Sequence, residues 1–178
     1  MKSTPNWIFF ILLPLLIGIL LSLLVPVPVV GIIYLEDAIH NNSAKEMLYQ
    51  ITYALHNPQV RAVVLVLNSP GGTVVDTESV YLELNRLRQK KPIVAVVEGM
   101  AASGAYYLCA ATDYILAKPS SIVGMVGVVG VLPPAPSVAE DLFSSGPYKI
   151  VGLPRDQMVR TMDAQKQAFL SAVRLGRG

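Results

Sequence analysis

From Val60 to Leu67 the chain runs through valine, leucine and alanine with a single charge, Arg61, and then breaks into Asn68-Ser-Pro-Gly-Gly72. A run this apolar and this rich in β-branched residues reads as a strand buried on both faces, and the turn residues that end it prescribe a tight loop. Strands of that kind belong to parallel sheets flanked by helices. This one segment therefore sets aside all-helical folds and open antiparallel sheets.

The neighbouring sequence supplies the rest of such a domain. Val29 to Leu35 is an apolar run that reads as a first buried strand. Ser43 and Glu46 have capping-box spacing, and Met47, Ile51 and Leu55 recur at helical intervals until Asn57-Pro58, which predicts a helix over 43–56. Val74 to Gln89 lacks Gly and Pro and carries Val80, Leu82, Leu84 and Leu87 among polar residues, a second helix. Pro92 then opens a strand over Ile93 to Val97, which leads through Glu98-Gly-Met-Ala-Ala-Ser-Gly104 into a small-residue helix over 105–111 and a short strand over 114–117. Beyond it, glycine alternates with Val and Met from Ser121 to Val131, prolines at 133, 134 and 136 stiffen a loop, and a short helix is expected over 138–143. A last helix is expected over 156–173, with Met162, Phe169 and Leu170 among its buried positions. Three successive strand, loop and helix units argue for an α/β domain with parallel strands and right-handed crossovers.

Ahead of this domain, Trp7 to Val25 contains no charged residue, about the length a helix needs to cross a hydrocarbon core. A transmembrane anchor is expected there, since the run exceeds a signal-peptide core and Val25-Pro26-Val27-Pro28 offers no small-residue cleavage site. Lys2 before the run and Glu36 and Asp37 after it favour the N-terminus inside and the domain on the outer side. The expected division is 1–28 for anchor and linker and 29–178 for the domain, with C-terminal truncation an open alternative. Of the 178 residues 53% are hydrophobic, so one core remains affordable once the anchor is set aside. The net charge of +2 is dispersed, with no Lys/Arg block longer than Lys90-Lys91, which argues against nucleic acid as a partner. Cys109 is the single cysteine and excludes an internal disulfide. No metal-ligand spacing and no Walker or dinucleotide motif is present, so no cofactor is expected.

In open α/β sheets ligands sit at the carboxyl ends of strands, where the loops 68–72 and 98–104 emerge. Ser103 stands there at the start of a helix, a suitable place for a nucleophile, and the backbone N–H groups of Gly71 and Gly72 suit an oxyanion. A serine needs a base. His40 and His56 precede the loops and lie in or near an ordinary helix, whereas Lys149 has the most apolar flanks of the lysines, and desolvation lowers a lysine's pKa towards the neutral form a base requires.

Asn68-Ser-Pro-Gly-Gly72, Gly99-Met-Ala-Ala-Ser-Gly-Ala-Tyr-Tyr107 and Gly146-Pro-Tyr-Lys149 together resemble the signal peptide peptidase A family. The resemblance implies a ClpP/crotonase-like fold and a Ser-Lys dyad of Ser103 and Lys149. By the same resemblance Gly71 and Gly104 would form the oxyanion hole, and Asn68, Ser69, Pro70 and Gly72 a substrate-binding loop. It also implies cleavage of hydrophobic peptides such as leftover signal sequences at a membrane, and assembly into homo-oligomeric rings. Two other readings stay open at this point: a crotonase-like acyl-CoA enzyme, which would not need Ser103, and a non-catalytic membrane scaffold of the same fold.

Overall fold

The valine and leucine runs become strands whose side chains alternate between two environments. A computed structural model of the chain describes residues 7–24, 27–131 and 155–177. In chain order these form α1 (Trp7–Leu24), β1 (Val29–Leu35), α2 (Asn41–His56), β2 (Val60–Ser69), α3 (Val74–Arg88), β3 (Ile93–Ala102), α4 (Gly104–Ala110), β4 (Tyr114–Ala117), β5 (Ile122–Gly124) and α5 (Arg155–Arg177). The strands pair in parallel in the order β1-β2-β3-β4, and β5 pairs with the far end of β3. The parallel α/β domain read from the sequence is thus the one the chain adopts.

One face of the sheet forms the core. Ile33 and Leu35, Val63, Leu65 and Leu67, and Ile93, Ala95 and Val97 alternate along their strands towards the helices. They bury against Met47 and Ile51 of α2, Val80, Leu84 and Leu87 of α3, and Ala105 and Leu108 of α4. The opposite face places Ile32, Val64, Val94 and Tyr114 in one register row and Tyr34, Val66, Val96 and Leu116 in the next. Ile32, Tyr34, Tyr114 and Leu116 on its outer strands are all more than half exposed.

Several boundaries differ from expectation for tertiary reasons. Helix α2 starts at Asn41 because His40, not Ser43, is its N-cap. The His40 ring accepts from the Ser43 N–H at 3.2 Å and the Ser43 hydroxyl accepts from the His40 N–H at 3.0 Å. Strand β3 continues through Glu98–Ala102, read from sequence as loop, because Met100–Ala102 find a partner in β5, and Ala101 also pairs with Ser69. Helix α5 runs on to Arg177, whose guanidinium donates to the carbonyl of Cys109 and, at 3.0 Å, to the hydroxyl of Thr112 at the end of α4. Along α5, Phe169 is buried as expected, Met162 and Leu170 are half-buried, and Ala172 is buried in their place. The helix expected over 138–143, the proline loop before it and Lys149 lie outside the described residues.

Helix α1 carries no charged residue, and its described large side chains are exposed, from 41% at Leu13 to 77% at Leu23. Among the described residues no helix is long and apolar enough to cross a membrane. At 18 residues, α1 is about 27 Å long against a hydrocarbon core of about 30 Å.

Candidate active site

Two strand ends build the site. After β2 the chain turns through Ser69-Pro70-Gly71-Gly72 into α3, whose N-cap is Thr73; after β3 it turns at Ser103 into α4. Gly71 takes φ +92°, a left-handed conformation natural to glycine. A methyl group there would stand 2.6 Å from the Gly104 nitrogen and 3.0 Å from the Ser103 Cβ, so the first turn rests directly on the second. Gly72 is packed as tightly on its other side: a Cβ would lie 1.9 Å from the Ile39 carbonyl oxygen.

Hydrogen bonding separates the two glycines. The Gly71 N–H, expected as an oxyanion donor, is held by the buried Ser69 hydroxyl at 3.2 Å. Residues 71–73 bridge to Ile39 through the Ile39 N–H to the Gly71 carbonyl at 2.8 Å and the Thr73 N–H to the Ile39 carbonyl at 2.9 Å. In a parallel bridge of this kind the intervening N–H, that of Gly72, points away from Ile39. On that side lies Gly104, with the Gly72 nitrogen 3.3 Å from where a Gly104 Cβ would be. The donor pair this geometry offers is therefore Gly72 and Gly104.

Ser103 itself sits at φ +50°, ψ −121°, one of two non-glycine residues at positive φ among the described residues. Such a conformation costs on the order of 1–3 kcal/mol and persists only where the surroundings enforce it. Here the Ser103 N–H is fixed to the Gly124 carbonyl of β5 at 2.8 Å, and its carbonyl accepts from the Tyr107 N–H at 3.0 Å. The side chain is half-buried on the floor of a ≈200 Å³ cleft. Gly72, Val74, Thr77 and Glu78 line one side of it, Gly127 and Val128 another, and Ala164, Ala168 and Phe169 of α5 a third. A neighbouring groove of ≈340 Å³ adds Pro70 and Val129. A larger cavity of ≈510 Å³ lies between β1 and α2, but neither glycine turn reaches it.

The remaining expected residues, and the other polar and titratable groups near them, take supporting places. Asn68 sets its amide oxygen where a Cβ on Gly99 would be, 2.6 Å away, bracing β2 against β3. Asp113 receives the Ile93 N–H at 2.8 Å and the Arg88 guanidinium at 2.9 Å, locking β4 to β3. His40 caps α2, and the His56 ring contacts the Thr52 carbonyl at 2.9 Å; neither lines the cleft. Lys91, whose pKa is lowered by burial and by the neighbouring charges of Arg61 and Lys90, bonds the Ala54 and Asn57 carbonyls at the end of α2, away from Ser103. Burial, with help from Tyr81 and Glu78, pushes the Tyr107 hydroxyl up to about 12. Burial also raises the Cys109 thiol to about 12, against the opposing charge of Arg177, leaving it no nucleophile at neutral pH. Sequence reasoning missed Thr77, Val128 and the α5 wall; only Thr77, one turn into the helix after the glycine loop, left a local signal.

A serine forced to positive φ between a strand and a short helix, with glycine backbone around it, is an arrangement for presenting a nucleophile. Comparison with known proteins gives the family. The family profile for peptidase family S49 matches residues 85–178, just over half of the chain. The chain belongs to peptidase family S49. The profile for Clp protease matches residues 28–123, in agreement with the ClpP-like α/β domain described above.

Individual relatives of this S49 chain carry peptidase names. It is 51% identical over 69 residues to a putative protease of Methanocaldococcus jannaschii, covering 39% of this chain and 22% of that protein. It is 44% identical over 84 residues to Protease 4 of Salmonella typhi, covering 47% and 14%. It is 29% identical over 86 residues to the chloroplastic serine protease SPPA of Arabidopsis thaliana, covering 48% and 13%. The chain thus spans less than a quarter of the length of each of these relatives.

Proposed function

We propose that this S49 chain is a membrane-anchored serine endopeptidase with Ser103 as nucleophile and Lys149 as general base, acting on hydrophobic peptides such as cleaved signal peptides. The observation that carries the reading is Ser103 at φ +50° beside the convergent Gly72 and Gly104 backbones. In the reaction, the Ser103 Oγ attacks the scissile carbonyl carbon while Lys149 accepts its proton. The N–H groups of Gly72 and Gly104 receive the oxyanion, and the proton passes to the departing amine. Water then cleaves the acyl ester and regenerates Ser103. Apolar cleft walls at Val74, Val128, Ala168 and Phe169 support an apolar peptide as substrate.

Anchoring is supported by α1, an apolar helix whose exposed side chains are costly in water, and by the sequence Val25 to Val30, which prolongs the apolar stretch. The N-terminus then lies inside and the peptidase domain on the outer side. The apolar rows of the sheet, exposed among the described residues at Ile32, Tyr34, Tyr114 and Leu116, support association into a homo-oligomeric ring.

Labelling by a fluorophosphonate probe in detergent tests the chemistry. Wild type is expected to label at Ser103, and both Ser103→Ala and Lys149→Ala to lose labelling. Labelling that survives Lys149→Ala would remove lysine as the base, and an unlabelled wild type would remove the peptidase reading.

A further inference from the structure

Thr77 is 2% exposed, its Oγ1 is closed off from solvent, and among the described residues that oxygen has no hydrogen-bond partner. A buried hydroxyl left unpaired costs about 1–3 kcal/mol. The usual escape for a helical serine or threonine is the carbonyl four residues back. Ser79 takes it, donating to Val75 at 2.8 Å, and so does Thr161, donating to Gln157 at 2.9 Å. Thr77 does not, although the Thr73 carbonyl stands one turn below it and receives its N–H at 3.1 Å. Its oxygen points instead at Gly104: a Cβ on that glycine would lie 2.6 Å from Thr77 Oγ1 and 3.2 Å from its Cγ2. The same spot is 3.3 Å from the Gly72 nitrogen. Thus an unsatisfied hydroxyl, the first residue after the nucleophile and the backbone of the glycine loop converge on one point, in the wall of the cleft that holds Ser103.

We propose that Thr77 is a positioning residue of this site, its hydroxyl, unpaired among the described residues, turning towards the negative charge that develops beside Gly104. The hydroxyl hydrogen is free to rotate, and in a dry wall a rotating dipole responds to a nearby oxyanion more strongly than it would in water. The oxygen is meanwhile packed on Gly104, leaving no room there for a Cβ, and so helps to hold that residue in place. This inference rests on the serine-peptidase reading.

Substitution of Thr77 by valine and by serine in the full chain tests it, with fluorophosphonate labelling followed against probe concentration and thermal unfolding measured alongside. Thr77→Val keeps the shape and removes the hydroxyl. It is expected to lower the maximal labelling rate about tenfold, the worth of one hydrogen bond, at unchanged half-saturation. It is also expected to raise the melting temperature by about 2–4 °C, because a buried unpaired group is gone. Thr77→Ser is expected to keep the wild-type rate. A Thr77→Val protein that labels at the wild-type rate overturns the inference and leaves the peptidase reading standing. Loss of rate together with loss of stability, unrescued by serine, overturns it in favour of packing. A wild-type protein unlabelled at Ser103 overturns both.

Discussion

The two turns of the site solve one geometric problem in opposite ways. Each converts a parallel strand into a helix at the carboxyl edge of the sheet, and each places a residue at positive φ. After β2 that residue is Gly71 at φ +92°, for which the conformation is nearly free. After β3 it is Ser103 at φ +50°, with the glycine placed one residue later, as the first residue of α4. The first turn is built for close approach, and the second accepts strain to keep a hydroxyl at the cleft. Where a fold could use glycine and uses serine, the side chain is the reason.

Three substitutions or titrations sharpen this contrast. The largest effect is expected from Gly71→Ala, which adds a Cβ at positive φ within 2.7 Å of the Ala102 carbonyl oxygen as well as against Gly104. A loss of about 3–4 kcal/mol in urea unfolding is expected, and a loss below about 1 kcal/mol would show that the turns do not bear on one another. Ser103→Gly should act in the opposite sense, abolishing labelling while stabilising the fold by about 1 kcal/mol, the released strain less the entropy of glycine. Ser103→Ala abolishes labelling without that gain, so equal stability of the two variants would contradict a strained serine.

A titration probes the ground behind the second turn, in α4. Tyr107 and Cys109 both have folded pKa values raised to about 12, from 10.0 and 9.0. The unfolded chain therefore loses these protons first, and stability is full below about pH 9 and falls as pH rises from there towards 12. Unfolding midpoints followed from pH 7 to 11 should stay level and then decline, and Cys109→Ala should delay the onset of that decline towards pH 10.

Most of the sheet was legible from hydrophobic runs. β1 over Val29–Leu35 and β4 over Tyr114–Ala117 match expectation at both ends, because their limits are set by local turn residues. β5 was not legible: Ile122-Val-Gly124 reads as part of a glycine-alternating stretch and becomes a strand only because Met100–Ala102 lies alongside it. His40 escaped notice as a cap because its ring, in place of a short hydroxyl or amide, accepts the first-turn N–H. At the site, Ser103 and the glycines were legible as motifs. The direction of each glycine N–H was not, since it depends on which edge of residues 71–73 is taken by Ile39.

One contact also governs when the cleft can exist. Arg177 fastens the end of α5 to the end of α4, and Gly176 lets the two come close enough, since a Cβ there would stand 2.1 Å from the Ala110 carbonyl oxygen. The wall carrying Ala164, Ala168 and Phe169 is held by that fastening. During synthesis the Ser103 turn has its anchors once Gly124 has been added, yet its α5 wall cannot be fastened until about 50 residues later, roughly three to eleven seconds at ribosomal rates. Throughout that interval the nascent chain carries Ser103 without the α5 wall of its cleft.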